Sequence, residues 1–323
     1  MAGTPAMRVD ALVIPEPDLN ATTDLVRVLE AAGFHAVWVA DSPPLAWPDV
    51  YVTLALCSRT TTRIRLAPGV TNPVTRHASV TANALLTLHR LSGARMELGI
   101  GVGYSAVRAA GLKPATLGAL ASYVAEVRAT FRAHGTSIPV FIAASGPRAL
   151  LAAGRLGDGA MVTVGTHPAL VRRALASIRR GAEETGRDPD GIDVAFLAGL
   201  AIADDPAEAR REASPVAARR AKDADFHPEF FLPPELEHLR ADALEVARHY
   251  DVQRHVDPAA PHNRLVTDAL VDAFTLAGTP EHCAEKVRAM VKAGATRVVL
   301  FPAGTERRRT LERFVADVLP RLA

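Results

Sequence analysis

Five short stretches of this 323-residue chain carry side chains able to hold or transform a small molecule: Asp41-Ser42, Gly69 to Asn72, Gly99 to Ser105, Ala144 to Arg148, and Thr163 to Thr166. The most unusual belongs to the run Ala67-Pro68-Gly69-Val70-Thr71-Asn72-Pro73-Val74-Thr75-Arg76-His77. There Pro68 and Gly69 remove a donor and a side chain where a parallel ladder would continue. Val70, Thr71 and Asn72 then put a β-branched pair and an amide at the strand's tip. In Ala144-Ser145-Gly146-Pro147-Arg148 a small polar turn enters a helix whose first residue is proline. Its free N–H groups, the Ser145 hydroxyl and the positive helix end would receive a phosphate, with ordinary capping by Ser145 as the alternative. Thr163, Gly165 and Thr166 follow the next strand and could donate to the same anion, leaving Arg148 as the basic residue. Asp41 is either an acid at the site or a helix cap. The glycines at 99, 101 and 103 are not a dinucleotide fingerprint, because the following helix and the later acidic residue are missing. A tight turn explains them equally well.

Other chemistries find no support. His77 and His89 have no partner at metal-ligand spacing, and H-E-x-x-H, G-x-S-x-G and paired Cys/His motifs are absent, so no metal site and no hydrolytic machinery is expected. Charged residues make up 22% and apolar ones 49%, with a formal charge of +2. That balance argues against nucleic-acid or membrane partners recruited by bulk charge and favours a small-molecule substrate. Cys57 and Cys283 stand far apart, so a reducing cytoplasm is the expected setting. Met1 to Arg8 lacks the apolar core of a leader, and no run approaches the roughly 18 apolar residues of a membrane span.

The elements that would position these residues are repeated βα units. Apolar runs at 11–14, 36–40, 64–70, 96–100, 140–143, 160–163, 194–202 and 297–301 predict strands buried on both faces. Helices are predicted between them at 22–32, 50–57, 78–91, 117–132, 147–156, 168–185, 206–217 and 280–293. Pro147, Pro168, Pro206 and Pro280 each stand where a helix begins, the position at which proline's missing donor costs nothing. The pattern predicts an α/β fold, a (β/α)8 TIM barrel forming one domain over 1–323. An insertion at about 222–274 interrupts it before the last βα unit and would lie over the barrel mouth. All five stretches then fall just past strand C-termini, the face where barrel active sites assemble.

The segments P-G-V-T-N-P-V-T-R-H-A-S-V-T-A-N-A-L-L-T-L-H-R-L-S-G-A-R-M-E-L-G-I-G-V-G and A-A-S-G-P-R-A-L-L-A-A-G-R-L-G-D-G-A-M-V resemble the bacterial luciferase-like superfamily. Within it the chain looks most like the deazaflavin-dependent branch, particularly the methylenetetrahydromethanopterin reductases. The likeness spans Arg8 to about Ile202 and resumes at 272–280. It implies a (β/α)8 barrel with coenzyme F420, or alternatively flavin mononucleotide (FMN), at the C-terminal face. It also implies hydride transfer at the deazaflavin C5. Asp41 would approach the ring, and Gly69-Val70-Thr71-Asn72 would form a bulge behind it with a cis peptide at Gly69-Val70. Gly101 and Gly103 would admit the cofactor closely, and Ala144, Ser145 and Gly146 would hold its phosphate near Thr163 and Thr166.

The chain departs from that family where proton chemistry is concerned. Leu12 stands where the pterin reductases carry an acid. Ser42 and Tyr104 stand where sugar-phosphate dehydrogenases of the branch have a histidine and a glutamate. Tyr104 could donate a proton only if its pKa were lowered from about 10, and otherwise walls the pocket. Three readings follow: an F420-dependent oxidoreductase, an FMN-dependent monooxygenase, or a cofactor-binding barrel without turnover. The loops after Pro43 and Tyr104 and the insertion would select the substrate, and the chain is expected to form a homodimer or higher homo-oligomer.

Overall fold

A computed structural model describes residues 7–42, 47–254 and 257–322. Met1 to Ala6 and the residues after Ser42 from Pro43 to Ala46 lie outside the described residues.

Nine parallel strands form one sheet: β1 Arg8–Val13, β2 Ala36–Val39, β3 Arg65–Pro68, β4 Leu98–Ile100, β5 Val140–Ala144, β6 Gly159–Val162, β7 Asp193–Ile202, β8 Thr275–Gly278 and β9 Arg297–Pro302. Their order is β3-β2-β1-β9-β7-β6-β5-β4, and bridges at Leu66–Met96 and Thr71–Ile100 join the two ends, so eight strands close into a barrel. These eight coincide with the eight predicted runs. The ninth, β8, was not anticipated. β7 is ten residues long, and along one edge its lower half pairs with β6 while its upper half pairs with β8.

Helices α1 Leu19–Ala31, α2 Val50–Thr60, α3 Ala78–Leu91, α4 Tyr104–Ala109, α5 Leu117–Ala133, α6 Pro147–Leu156, α7 Pro168–Glu183 and α8 Pro206–Phe226 follow in order. Then come α9 Pro228–Phe231, α10 Arg240–His249, α11 Asp268–Phe274, α12 Pro280–Lys292 and α13 Arg307–Arg313. All four prolines singled out occupy first-turn positions. The prediction that the helix from Pro206 stops at Ala217 is corrected: Pro215 does not break it, and it continues to Phe226.

Among the described residues there are three apolar bodies: Ala201, Ala209, Ala213, Ala217 and Ala277 form one where α8 meets β7 and β8, and the other two sit on either side of the sheet. The larger lies between the strands and the outer helices, as both-face burial requires. The smaller fills the barrel, where Leu12, Trp38, Ala67, Phe141, Met161, Ala195 and Val299 pack in layers. Beneath them the floor is ionic. Arg297, with 0% exposure, donates to Asp10 at 2.6 Å, Glu97 at 2.8 Å and Asp193 at 2.8 Å. Trp38 Nε1 donates to Asp10 at 2.7 Å, and Arg65 reaches Glu97 at 2.5 Å. Burial pushes the Asp10 carboxyl up to about 6 despite Arg297 and Trp38. The acid on the first strand is therefore Asp10, at the barrel floor and paired, whereas the apolar Leu12 lies above it.

Candidate functional site

The strand tip at Pro68-Gly69 forms as its sequence demands. Between the Leu66–Met96 and Thr71–Ile100 bridges the β3 side runs five residues against four on β4, so one extra residue bulges there. The Gly69-Val70 peptide is cis. Gly69 donates its amide to Val39 O at 2.7 Å, while Thr71 pairs with β4 through Thr71 N to Gly99 O and Gly101 N to Thr71 O, both 3.0 Å. The glycines make this approach possible. A Cβ on Gly69 would lie 2.7 Å from Trp38 Cβ, and one on Gly99 would lie 2.3 Å from Pro68 O. Gly103 has φ of +81° and would drive a Cβ to 2.8 Å from Asn72. Gly101 and Gly103 thus serve the fit of the bulge against β4 whatever else they admit. The expectation that no helix follows these glycines is corrected: Gly103 is the N-cap of the short α4, which starts at Tyr104 because the left-handed backbone of Gly103 turns the chain into it.

Around the bulge, buried polar atoms collect without partners. Asn72 accepts at Oδ1 from Val74 N and Thr75 N, each 3.0 Å, so its carbonyl is bound to the turn. Its Nδ2 is unpaired, and so are Asp41 Oδ2, Ser42 Oγ, Tyr51 Oη and Thr71 Oγ1 among the described residues. The Thr71 hydroxyl faces both Asp41 and Tyr51, the latter at the start of α2, but forms no well-made hydrogen bond to either. Buried polar groups are paired in the great majority of cases, so this cluster beside the bulge suits a hydrogen-bonding ligand. Burial pushes the Asp41 carboxyl above its ordinary value, helped by Asp49 and opposed by the Thr71 hydroxyl and Arg76. Among the described residues Asp41 lies outside any helix and caps none, since α2 is capped by Asp49.

The β5–α6 turn is equally open. Gly146 is the N-cap of α6 and no side chain caps it, so capping by Ser145 does not occur. Ala144 O accepts from Thr163 N at 2.9 Å, which ties the turn to the end of β6. Arg148 is exposed on the first turn. The His227 ring lies against Gly146, and beside them opens a cleft of about 470 Å³ bordered by Pro147, Arg173, Phe226, His227 and Phe230. Thr166 departs from expectation. Its amide donates to Ala273 O at 3.3 Å and its hydroxyl to Thr275 O at 2.9 Å, because Gly165, at φ of +106° against Phe274, turns the chain toward α11 and β8. Thr163 stays with the β5 turn, whereas Gly165 and Thr166 anchor the ninth strand.

The segment over the mouth supplies residues that the sequence did not single out. Lys222, in the last turns of α8, is 8% exposed and donates to Tyr104 Oη at 3.0 Å. The Arg108 and Arg219 guanidiniums lie over the Tyr104 ring at 4.7 and 5.0 Å. Arg220, buried, pairs with Asp223 at 2.9 Å and donates to Thr163 O, so α8 is fastened to the end of β6. Arg220, Lys222 and Asp223 follow helical spacing from the alanine-rich stretch before them, a signal visible only if the helix is allowed past Pro215. Among the described residues no group of three His, Cys, Asp or Glu could hold a metal ion.

A cluster of buried polar atoms at one strand bulge and an uncapped helix start two strands away suit a ligand with a polar ring edge and an anionic arm. A family model described as luciferase-like monooxygenase matches residues 4–297. The chain is 28% identical over 333 residues to the 5,10-methylenetetrahydromethanopterin reductase of Methanolobus tindarius, covering 95% of this chain and 98% of the relative. It is 28% identical over 334 residues to the F420-dependent glucose-6-phosphate dehydrogenase of Kineococcus radiotolerans, covering 93% and 92%. In fold it matches the coenzyme F420 dependent tetrahydromethanopterin reductase from Methanopyrus kandleri, with a TM-score of 0.77, 24% identity, and coverage of 98% and 100%.

Proposed function

The chain belongs to the luciferase-like monooxygenase family, and from that premise we propose that it is an F420-dependent oxidoreductase, moving a hydride between the deazaflavin C5 and a small or medium organic substrate. One observation carries the reading: the unpartnered Asp41, Ser42, Tyr51, Thr71 and Asn72 atoms beside the Gly69-Val70 bulge. Full-length likeness to relatives named for F420 supports it.

In this reading Val70 backs the ring, and Asp41, Ser42, Thr71 and Asn72 bond its polar edge, with Gly101 and Gly103 shaping the wall. The free N–H groups of α6 beyond Gly146 and Pro147, with Ser145, Arg148 and Thr163, hold the phosphate against the positive helix end. When bound, the cofactor supplies two-electron hydride chemistry, and the protein's part is to orient and polarise. Asp41, protonated more readily than an ordinary carboxyl, can exchange a hydrogen bond with the ring edge. Tyr104 is the second candidate catalytic residue, facing the substrate from the start of α4.

Mixing the protein anaerobically with reduced F420 and a panel of enones, imines and pterins should show cofactor oxidation with at least one substrate. Oxygen-dependent turnover with reduced FMN and none with F420 would favour the monooxygenase reading. Tight F420 binding without turnover across the panel would favour a cofactor-binding barrel.

Self-association belongs to the same proposal, resting on Val52 and Leu56 of α2 and Val80 and Leu91 of α3, all exposed on neighbouring helices. Sedimentation should find the wild type larger than a monomer and Val80→Asp shifted toward it; a monomeric wild type would remove the idea. A cytoplasmic setting suits the two free, buried cysteines. Among the described residues no helix is long and apolar enough to cross a membrane.

A further inference from the structure

Tyr104 stands at the start of α4, and every charged group packed on its ring is cationic: Arg108 from α4 itself, and Arg219 and Lys222 from α8. The phenol of Tyr250, just past α10, completes the surround, with Lys222 Nζ 5.7 Å from its ring centre. The nearby carboxylate of α8, Asp223, is paired with Arg220. A lysine that merely fastened α8 to the barrel would serve as well on a backbone carbonyl, as Arg220 does on Thr163 O. Lys222 instead donates to a phenol oxygen on the strand-end loop, 118 residues earlier in the chain.

We infer that Tyr104 and Lys222 form a proton-transfer dyad over the proposed cofactor site, the phenol exchanging a proton with the substrate and Lys222 acting through it as a positioning residue. The inference rests on the oxidoreductase reading above. In the reducing direction a substrate carbonyl or imine carbon gains a hydride, with its electron pair, from the reduced deazaflavin, which is thereby oxidised. The π pair moves to the oxygen or nitrogen, which bonds the Tyr104 proton. The Oη–H bond breaks, its electrons stay on Oη, and the Lys222 ammonium offsets that charge until water returns a proton. Oxidation runs the same transfers in reverse. This provides the proton donor that the chain does not share with either branch it resembles.

The electrostatics agree with the geometry. Burial would raise the Tyr104 phenol, but the Lys222 hydrogen bond and charge, with Arg108 and Arg219, outweigh it and hold the phenol below its usual 10. The chain has four tyrosines, and the other three shift the opposite way. Burial pushes Tyr51 up, and Tyr123 and Tyr250 up to about 12.

A spectrophotometric titration of phenolate absorbance, made on the protein without added cofactor, tests the pair separately from the F420 reading. One phenol should ionise below pH 10, ahead of the rest. Tyr104→Phe should abolish that phase, Lys222→Met should raise it by about one pH unit or more, and Lys222→Arg should restore most of the shift. With reduced F420 and an accepted substrate, Tyr104→Phe should lower kcat by about 10²-fold or more with F420 affinity little changed. Reduction needs the protonated phenol, so kcat should fall as pH rises through the Tyr104 pKa. In Lys222→Met that limb should move to higher pH in step with the titration. Circular dichroism checks folding, and if Lys222→Met does not fold, Tyr104→Phe and Lys222→Arg carry the test. An early phase that survives Tyr104→Phe, or a Tyr104→Phe kcat within about threefold of wild type, would overturn the dyad. No F420 binding with the early phenol intact would instead overturn the oxidoreductase reading, and with it the proton's destination, but not the pairing.

Discussion

Thr71 shows how a single residue can point to a ligand. Its backbone is fully engaged with β4, its side chain has 0% exposure, and its hydroxyl faces Asp41 and Tyr51 without a well-formed hydrogen bond to either. Such a group costs stability unless something bonds it, and the account assigns that bond to the cofactor. Thr71→Val should therefore leave urea stability unchanged or slightly raised. It should weaken F420 binding about tenfold, the worth of about 1 to 1.5 kcal/mol for one buried hydrogen bond. Unaltered affinity would take Thr71 out of the site. Asp41, Thr71 and Asn72 stood out in the sequence because polar residues at strand tips have few structural uses, and the fold gathers them, buried, beside the bulge. Lys222 was not, because a lysine in a charged stretch reads as solvated; only its place on the buried side of a continuous α8, past Pro215, gives it meaning. Thr166 misled for a related reason: adjacency to Thr163 suggested a shared direction, and the turn at Gly165 reversed it.

Among the elements, α6 carries the prediction that separates packing from binding. Its start has proline at the first turn, glycine at the cap and no side-chain acceptor, although Ser145 stands next to it. Ser145→Asp would place a carboxylate beside the positive helix end, which stabilises a helix by about 0.3 to 1 kcal/mol. The same charge should repel the cofactor phosphate, so thermal unfolding should shift slightly upward while F420 affinity falls; a rise or no change in affinity would exclude this turn as the phosphate site. The barrel strands were readable because both-face burial makes each one a continuous apolar run. β8 was missed because Thr275–Gly278 is short and pairs with only the upper half of one edge of β7. The hint lay in β7 itself: at ten residues it is longer than its neighbours and can seat two partners along one edge.

At the scale of the whole molecule, the barrel divides into an ionic floor that holds it together and a mouth to which the proposed chemistry is assigned. Arg297 ties Asp10 of β1, Glu97 just before β4 and Asp193 of β7. Arg297→Met would leave those carboxylates without their shared cation and should destabilise the fold by about 3 to 5 kcal/mol, read from urea unfolding. The fraction of this variant that folds should still bind cofactor, more weakly if Trp38 shifts, because Trp38 both donates to Asp10 and lies against Gly69. All five stretches follow strand C-termini, as the βα pattern implies, and the last turns of α8, where the insertion proposed at about 222–274 begins, meet two of them at Tyr104 and Thr163. The central claim is the identity of the ligand in that mouth, and equilibrium binding tests it most directly. Titrating the purified protein into F420 and into FMN, and following quenching of each cofactor's fluorescence, should give saturable quenching of F420 and markedly weaker quenching of FMN. Saturable FMN binding with F420 fluorescence untouched would contradict the account.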